Sequence, residues 1–407
     1  MSTPDSATTF SVFAFLFLVG LAITFFVGSK AKVVAPSLAS YLVHVSLSMF
    51  LYIYLGLSAL GSDGYNYQLF AEYIADTFAG RPSTVNYAEG KEGWLYALGG
   101  IYFIFGKIPA AGLVIVSILM GALPAIMAST SRMMGWAKSA RAAAWLSVML
   151  PTLIIWPSSI LREGPAIFVL SIIVLSVGLY HSGRSLRAGV LLVLATFAMM
   201  WIRPPVGIAV LAGIAVAVIL VPTRRSRGWA GAMLFLTLPA LALPLGLIRG
   251  TEFDLGTVAT LRENLAIGAT TSTGATSEGW DSPSGAALSI LRDLPGATFG
   301  PFPWQALSQP WQLTIDGAAF IVLAFLVFIA VRTRSTRRAA LTLVFPAVAV
   351  LIIVAATFGN YGFVVRQRSQ AAPFLVPVAA AGWVLMRQRR SGLPDSLDRD
   401  QKEDANA

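Results

Sequence analysis

The sequence predicts an all-α, polytopic membrane protein of about eleven spanning helices, with interfacial helices on its outer face. Three observations predict it. Of 407 residues, 56% are hydrophobic and only 12% charged, about half the charged share of an ordinary soluble domain, and the mean hydropathy is +0.73. The apolar residues fall in long runs, such as SVFAFLFLVGLAITFFVG at 11–28 and AAFIVLAFLVFIAV at 318–331, close to the length that crosses a bilayer. The positive charges fall in short connectors that contain no Asp or Glu: Lys30 and Lys32; Arg132, Lys138 and Arg141; Arg184 and Arg187; Arg224, Arg225 and Arg227; Arg332, Arg334, Arg337 and Arg338; Arg387, Arg389 and Arg390. Such connectors mark the cytoplasmic side, so the net charge of +10 reads as a topology and lipid-headgroup signal rather than a nucleic-acid surface.

Threading helices through those anchors places spans near 10–29, 38–60, 110–128, 142–160, 165–181, 188–202, 205–221, 229–248, 314–331, 339–357 and 371–386. The N-terminus then lies outside and the C-terminus inside. The first run is too long for a signal-peptide core and lacks a small-residue cleavage site after it, so it is expected to be a retained helix. WLYALGGIYFIFG at 94–106 is apolar but short, and is expected to lie in, or re-enter from, the outer interface. Residues 1–391 thus form one transmembrane domain, with outer loops at 61–109 and 249–312. The polar, acidic segment 392–407 is expected to be a disordered cytoplasmic tail. In the second loop, ALSILRDLPGATFG reads as a short surface helix that Pro295, Pro301 and Pro303 break.

The same path puts every carboxylate outside the two termini on the outer side, so chemistry is expected there. There is no cysteine and there are two histidines, which leaves no thiolate chemistry and no histidine metal centre; neither metal nor cofactor is expected. Asp63 follows directly on a span, in GSDGYNY, where partial desolvation raises a carboxylate toward the range of a useful base. Tyr65 and Tyr67 can stack on or hydrogen-bond a sugar; a helix cap with an aromatic belt is the plainer reading of all three. Lys91 and Glu92, in GKEGWLY, are either substrate contacts or an interfacial anchor. Arginines on the outer side are costly near hydrocarbon and call for an anionic partner. Arg162 with Glu163 in WPSSILREGP, Arg203 in MMWIRPP, and Arg366 and Arg368 in FGNYGFVVRQRSQ are candidate phosphate ligands, because guanidinium binds phosphate as a fork. Pairing with nearby carboxylates is the alternative for each.

An outward Asp directly after an early span, then Tyr65 and Tyr67, resembles the first-loop pattern of the GT-C-fold membrane glycosyltransferases. FIFG at 103–106 and LPTLIIWPSSILREG at 150–164 add to the likeness. The layout GSD-x-x-x-Y, Lys-Glu-Gly and Leu-Arg-Glu is also similar to EpsG-like and Wzy-type polysaccharide polymerases. The resemblance covers most of the chain in layout, on short motifs. It implies a polyprenyl-(pyro)phosphate-linked sugar donor, a glycan or lipid-linked acceptor, Asp63 as the base that takes the acceptor proton, and the arginines as stabilisers of the leaving phosphate. Many such enzymes have a second acidic residue beside the first, where this chain has Gly64; in a Wzy-type enzyme Asp63 would instead bind substrate or support structure. Membrane lipids are the remaining partner. The competing class is a transporter or flippase of lipid-linked oligosaccharide, which calls for matched halves and ionisable groups at mid-membrane; the sequence shows no convincing internal repeat. A non-catalytic assembly protein of the cell envelope is a third reading.

Overall fold

The computed structural model describes residues 5–57, 63–81, 92–221, 255–267, 271, 273, 279–305 and 309–391. Among these residues the structure is helical, without a β-strand. Among the described residues seven helices are long and apolar enough to cross a membrane, or eight if one bent pair counts as a single span. This architecture is compatible with a multi-pass membrane protein. The chain divides into two compact units, Met1–Arg203 and Pro204–Ala407.

Unit 1 contains α1 (Ser6–Lys30), α2 (Val34–Leu55), α3 (Asp63–Phe78), α4 (Glu92–Phe105), α5 (Pro109–Met133), α6 (Ala140–Met149), α7 (Pro151–Ile155), α8 (Glu163–His181) and α9 (Ser185–Ile202). Asp5 caps α1, its carboxylate accepting from the Thr8 amide at 2.7 Å. Pro109 opens α5, where its missing N–H removes no helical bond. The central helix is α5, packed by α1, α2, α6 and α8.

One end of unit 1 is purely basic. Ala31, Val33, Ala125, Ala128, Ala140 and Ala144 form one cluster, so the α1–α2 and α5–α6 turns lie together, and Gly178 of α8 stands against Thr130 at that same end. Lys30, Lys32, Arg132, Lys138, Arg141, Arg184 and Arg187 sit in these turns and the α8–α9 turn. Glu163 heads α8 at the opposite end, where α2 finishes.

Unit 2 contains α10 (Pro204–Leu220), α11 (Leu255–Ala266), α12 (Pro283–Phe299), α13 (Trp311–Arg332), α14 (Arg334–Ala356), α15 (Tyr361–Arg368) and α16 (Ala372–Arg390). α14 packs against α10, α12, α13 and α16. α15 and α16 meet at a bend of 65°.

Several expectations change in detail. The span expected over 142–160 is two short helices and an irregular segment. Pro151 lacks an N–H, and Leu150 before it is extended (φ −72°, ψ 119°). The segment expected at the interface is α4, 14 residues long and too short to cross a bilayer. α10, at the span expected over 205–221, is apolar and 17 residues long, at the short end of the range that crosses a bilayer. The expected break at Pro295 does not occur: α12 runs through it to Phe299. One proline removes a single helical bond, and burial of Ala297 against the bundle holds the helix together. The expected span at 229–248 and the tail at 392–407 lie outside the described residues.

Candidate functional site

The most unusual backbone in unit 1 is Trp156–Arg162, the irregular stretch between α7 and α8. Leu161 is 1% exposed and Glu163 0%; Trp156, Ser158 and Ile160 are buried too. Non-helical backbone at membrane depth persists only where protein covers it or a polar cavity meets it, because its amides and carbonyls need partners. Here side chains supply them. Trp94 Nε1 donates to Ile160 O at 2.7 Å. Ser158 Oγ donates to Ile154 O at 2.6 Å, and Ser159 Oγ to Trp156 O at 2.9 Å. The ring nitrogens of His44 lie 2.7 Å from Ser40 O and 2.8 Å from Leu153 O, fastening α2 to α7.

Two glycines allow the close approaches around this break. A Cβ on Gly164 would strike Val116 of α5, so the first turn of α8 reaches α5 only as glycine. A Cβ on Gly93 would lie 2.7 Å from the Trp201 backbone, so the start of α4 meets the end of α9. The result gathers sequence-distant charges. Arg203 Nη1 donates to Glu163 Oε1 at 3.3 Å, both side chains being nearly inaccessible. Arg162 Nη1 approaches Ile202 O at 3.5 Å, and Arg162 is half-buried. Glu92 opens α4 one residue before the Gly93 contact. Beside the break a small open cavity is lined by Ser48, Tyr52, Gly56 and Leu57 of the α2 end and by Ser158, Ser159 and Ile160.

The structure therefore brings Arg162, Glu163 and Arg203 into one cluster, with Glu92 next to it. Asp63 heads α3, half-buried, six residues on from Leu57 of the cavity wall. Tyr65 is 60% exposed and Tyr67 is 1% exposed, so the two tyrosines face opposite ways and only Tyr65 is accessible. Lys91 lies outside the described residues. α3 is tied down at its far end, where Lys107 Nζ donates to Asp76 at 2.7 Å. That bond holds the Asp76 carboxyl below the usual range, against a smaller opposing effect of burial.

In unit 2 the arginines are arranged differently. Arg368 is 0% exposed. Its Nε donates to Asp316 Oδ2 at 2.9 Å and its Nη2 to the same oxygen. Its Nη1 donates to Thr298 O at 3.3 Å and to Gly300 O, and its guanidinium lies 4.9 Å from the Phe320 ring centroid. Four of the five donors of the side chain are thus taken up by the protein. Arg366, two residues away, is half-buried. Asn360 caps α15 through the Gly362 and Phe363 amides. A second buried pair, absent from the sequence-based candidates, joins Arg262 Nη2 to Asp293 Oδ2 at 2.7 Å, with Arg262 also donating to Ala355 O and packing on Trp280. Helical spacing carried the signal: Val258, Arg262 and Leu265 share one stripe of α11, as Leu313, Asp316 and Phe320 share one stripe of α13.

Among the described residues no three His, Asp or Glu side chains gather as a metal site. Fold and site define a class: a helical protein with several segments of membrane-crossing length, carrying guanidinium–carboxylate pairs beside broken helices. Comparisons with protein-family models, curated proteins and solved structures find no match to this chain.

Proposed function

We propose that this protein is a membrane glycosyltransferase or polysaccharide polymerase of the cell envelope. In this reading it takes sugar from a polyprenyl-(pyro)phosphate donor at the outer face of the cytoplasmic membrane. The fold is GT-C-like with about eleven spans, the N-terminus outside and the C-terminus in the cytoplasm. One observation carries the reading: Arg162, Glu163 and Arg203 meet at a buried helix break, at the carboxylate end of unit 1.

Asp63 takes the proton of the acceptor hydroxyl as that oxygen attacks the anomeric carbon. The bond to the donor phosphate breaks, and Arg162 with Arg203 stabilises the charge that develops there. Glu163 holds Arg203 in place. Exposed Tyr65 offers its ring to a sugar face; buried Tyr67 anchors α3. Glu92, at the start of α4, and Lys91, the residue before it in sequence, contact substrate. Arg366 is a further phosphate ligand, while Arg368, with its donors committed to Asp316, Thr298 and Gly300, fixes the bend that presents it.

The test is glycan extension by the protein in lipid nanodiscs, supplied with a polyprenyl-linked sugar and an acceptor. Asp63→Asn lowers turnover roughly 10²–10⁴-fold, as expected for a lost general base; undiminished turnover removes Asp63 from that role. A specific observation favours a second reading as well. Each unit contains an interrupted span, at 156–162 and at the α15–α16 bend, and broken helices also build transporter sites. Counterflow of a lipid-linked oligosaccharide across sealed vesicles, with no new glycosidic bond, selects the transporter.

A further inference from the structure

Unit 2 has a second charged region, at the end opposite Arg368. There α13 finishes, α14 begins and α16 finishes, and these three helices pack on one another. Arg332, Arg334, Arg337 and Arg338 come from the α13–α14 turn, and Arg387, Arg389 and Arg390 from the end of α16; all seven are exposed. Stretches 321–345 and 380–391 contain no Asp or Glu.

Several of these guanidinium groups are held rather than loose. Arg389 Nη2 donates to Thr333 Oγ1 at 3.2 Å, which ties the end of α16 to the turn. Arg337 Nε donates to Val331 O at 3.0 Å. Arg332 lies 5.8 Å from the centroid of Phe328, and Arg387 lies 5.6 Å from that of Trp383. Thr333 stands at the N-cap of α14 without a side-chain bond to its amides, since its hydroxyl donates to Ile329 O instead. The first turn of α14 therefore presents uncapped amides, the arrangement that favours an anion, within the arginine cluster.

We propose that this turn is a binding site for the phosphodiester headgroup of an anionic phospholipid. The charge calls for phosphate, and the flank below it calls for a lipid. Val322, Phe325 and Phe328 of α13 are all more than half exposed, and Trp383 is 40% exposed, so acyl chains have an apolar surface directly beneath the guanidinium groups. A soluble anion has no use for that surface. The proposal differs from the general attraction of basic loops to a negative leaflet in requiring this turn rather than charge alone. It does not depend on the chemistry at Asp63.

The test uses the full chain in phosphatidylcholine nanodiscs, with and without phosphatidylglycerol, and counts lipid retained by native mass spectrometry. Phosphatidylglycerol is retained through detergent exchange. Arg334→Gln/Arg337→Gln/Arg338→Gln weakens retention roughly a hundredfold, from three lost surface charges. Arg184→Gln/Arg187→Gln removes two basic residues of another turn; general attraction to the leaflet would cost roughly thirtyfold, whereas a site confined to the α13–α14 turn leaves retention within about twofold of that of the unaltered protein. Unfolding temperatures in pure phosphatidylcholine check that both variants fold. Retention unchanged in the triple variant overturns the proposal, as does equal weakening in the control. Displacement of the lipid by inorganic phosphate at matched ionic strength points to a soluble anion and overturns it too.

Discussion

Both units bury an arginine against a carboxylate beside an interrupted helix, yet the two pairs are built for different work. In unit 2, Arg368 is wholly inaccessible and commits four donors to Asp316 and two carbonyls. In unit 1, Arg203 meets Glu163 through a 3.3 Å contact, half-buried Arg162 lies next to it, and a cavity opens alongside. A guanidinium with four donors taken up by its own protein is a fastener; in the function proposed above, the Arg162–Arg203 pair is the one that meets a ligand.

The largest expected effect breaks the fastener. Arg368→Met leaves Asp316 buried without its partner and destabilises the protein by about 3–5 kcal/mol, whereas Arg368→Met combined with Asp316→Leu recovers most of that loss. Unfolding temperature in nanodiscs measures both, and equal losses in the single and double variants end the distinction drawn here. In unit 1, Arg203→Gln keeps a donor near Glu163 over a longer contact and costs about 1.5–3 kcal/mol, the worth of a bond to a charged group. Its glycan turnover falls further than its stability explains, and a fall limited to stability makes this pair structural as well.

Smaller effects sharpen the description of the break. Trp94→Phe removes the donor to Ile160 O and costs about 1 kcal/mol; hydrogen exchange then rises at 156–162 before it rises in α5. The smallest effect is the pH dependence of the α3 tether. The Asp76 carboxyl is depressed in the folded state, chiefly by its bond to Lys107. Its stabilisation is therefore complete above the unfolded value, about pH 4, and is lost as pH falls through the folded one. Lys107→Gln lowers the unfolding temperature at neutral pH, and the gap from the unaltered protein closes below that range.

How much of this was legible beforehand depends on the kind of feature. Apolar runs near twenty residues place α1, α2, α5, α8, α9, α13 and α14, because bilayer thickness sets helix length and the requirement is local. Proline was read less well. Pro151 ends a helix that the sequence suggested would continue, and Pro295 sits inside one that the sequence suggested would stop. Local chemistry states the cost of a proline, and packing decides whether that cost is met. Arg262 was not among the sequence-based candidates, although its place on the apolar stripe of α11 marked it.

The sequence by itself determined that the chain is helical and rich in membrane-length segments, and that basic turns alternate with connectors carrying carboxylates. Helix length and charge distribution are written residue by residue. Only the tertiary structure decided which distant charges meet: Glu163 with Arg203, Asp316 with Arg368, Asp293 with Arg262. These partners lie 31 to 52 positions apart. Helix packing selects them, in unit 1 through the close approaches that Gly93 and Gly164 allow, and a buried charge settles with the counter-charge that packing brings within reach.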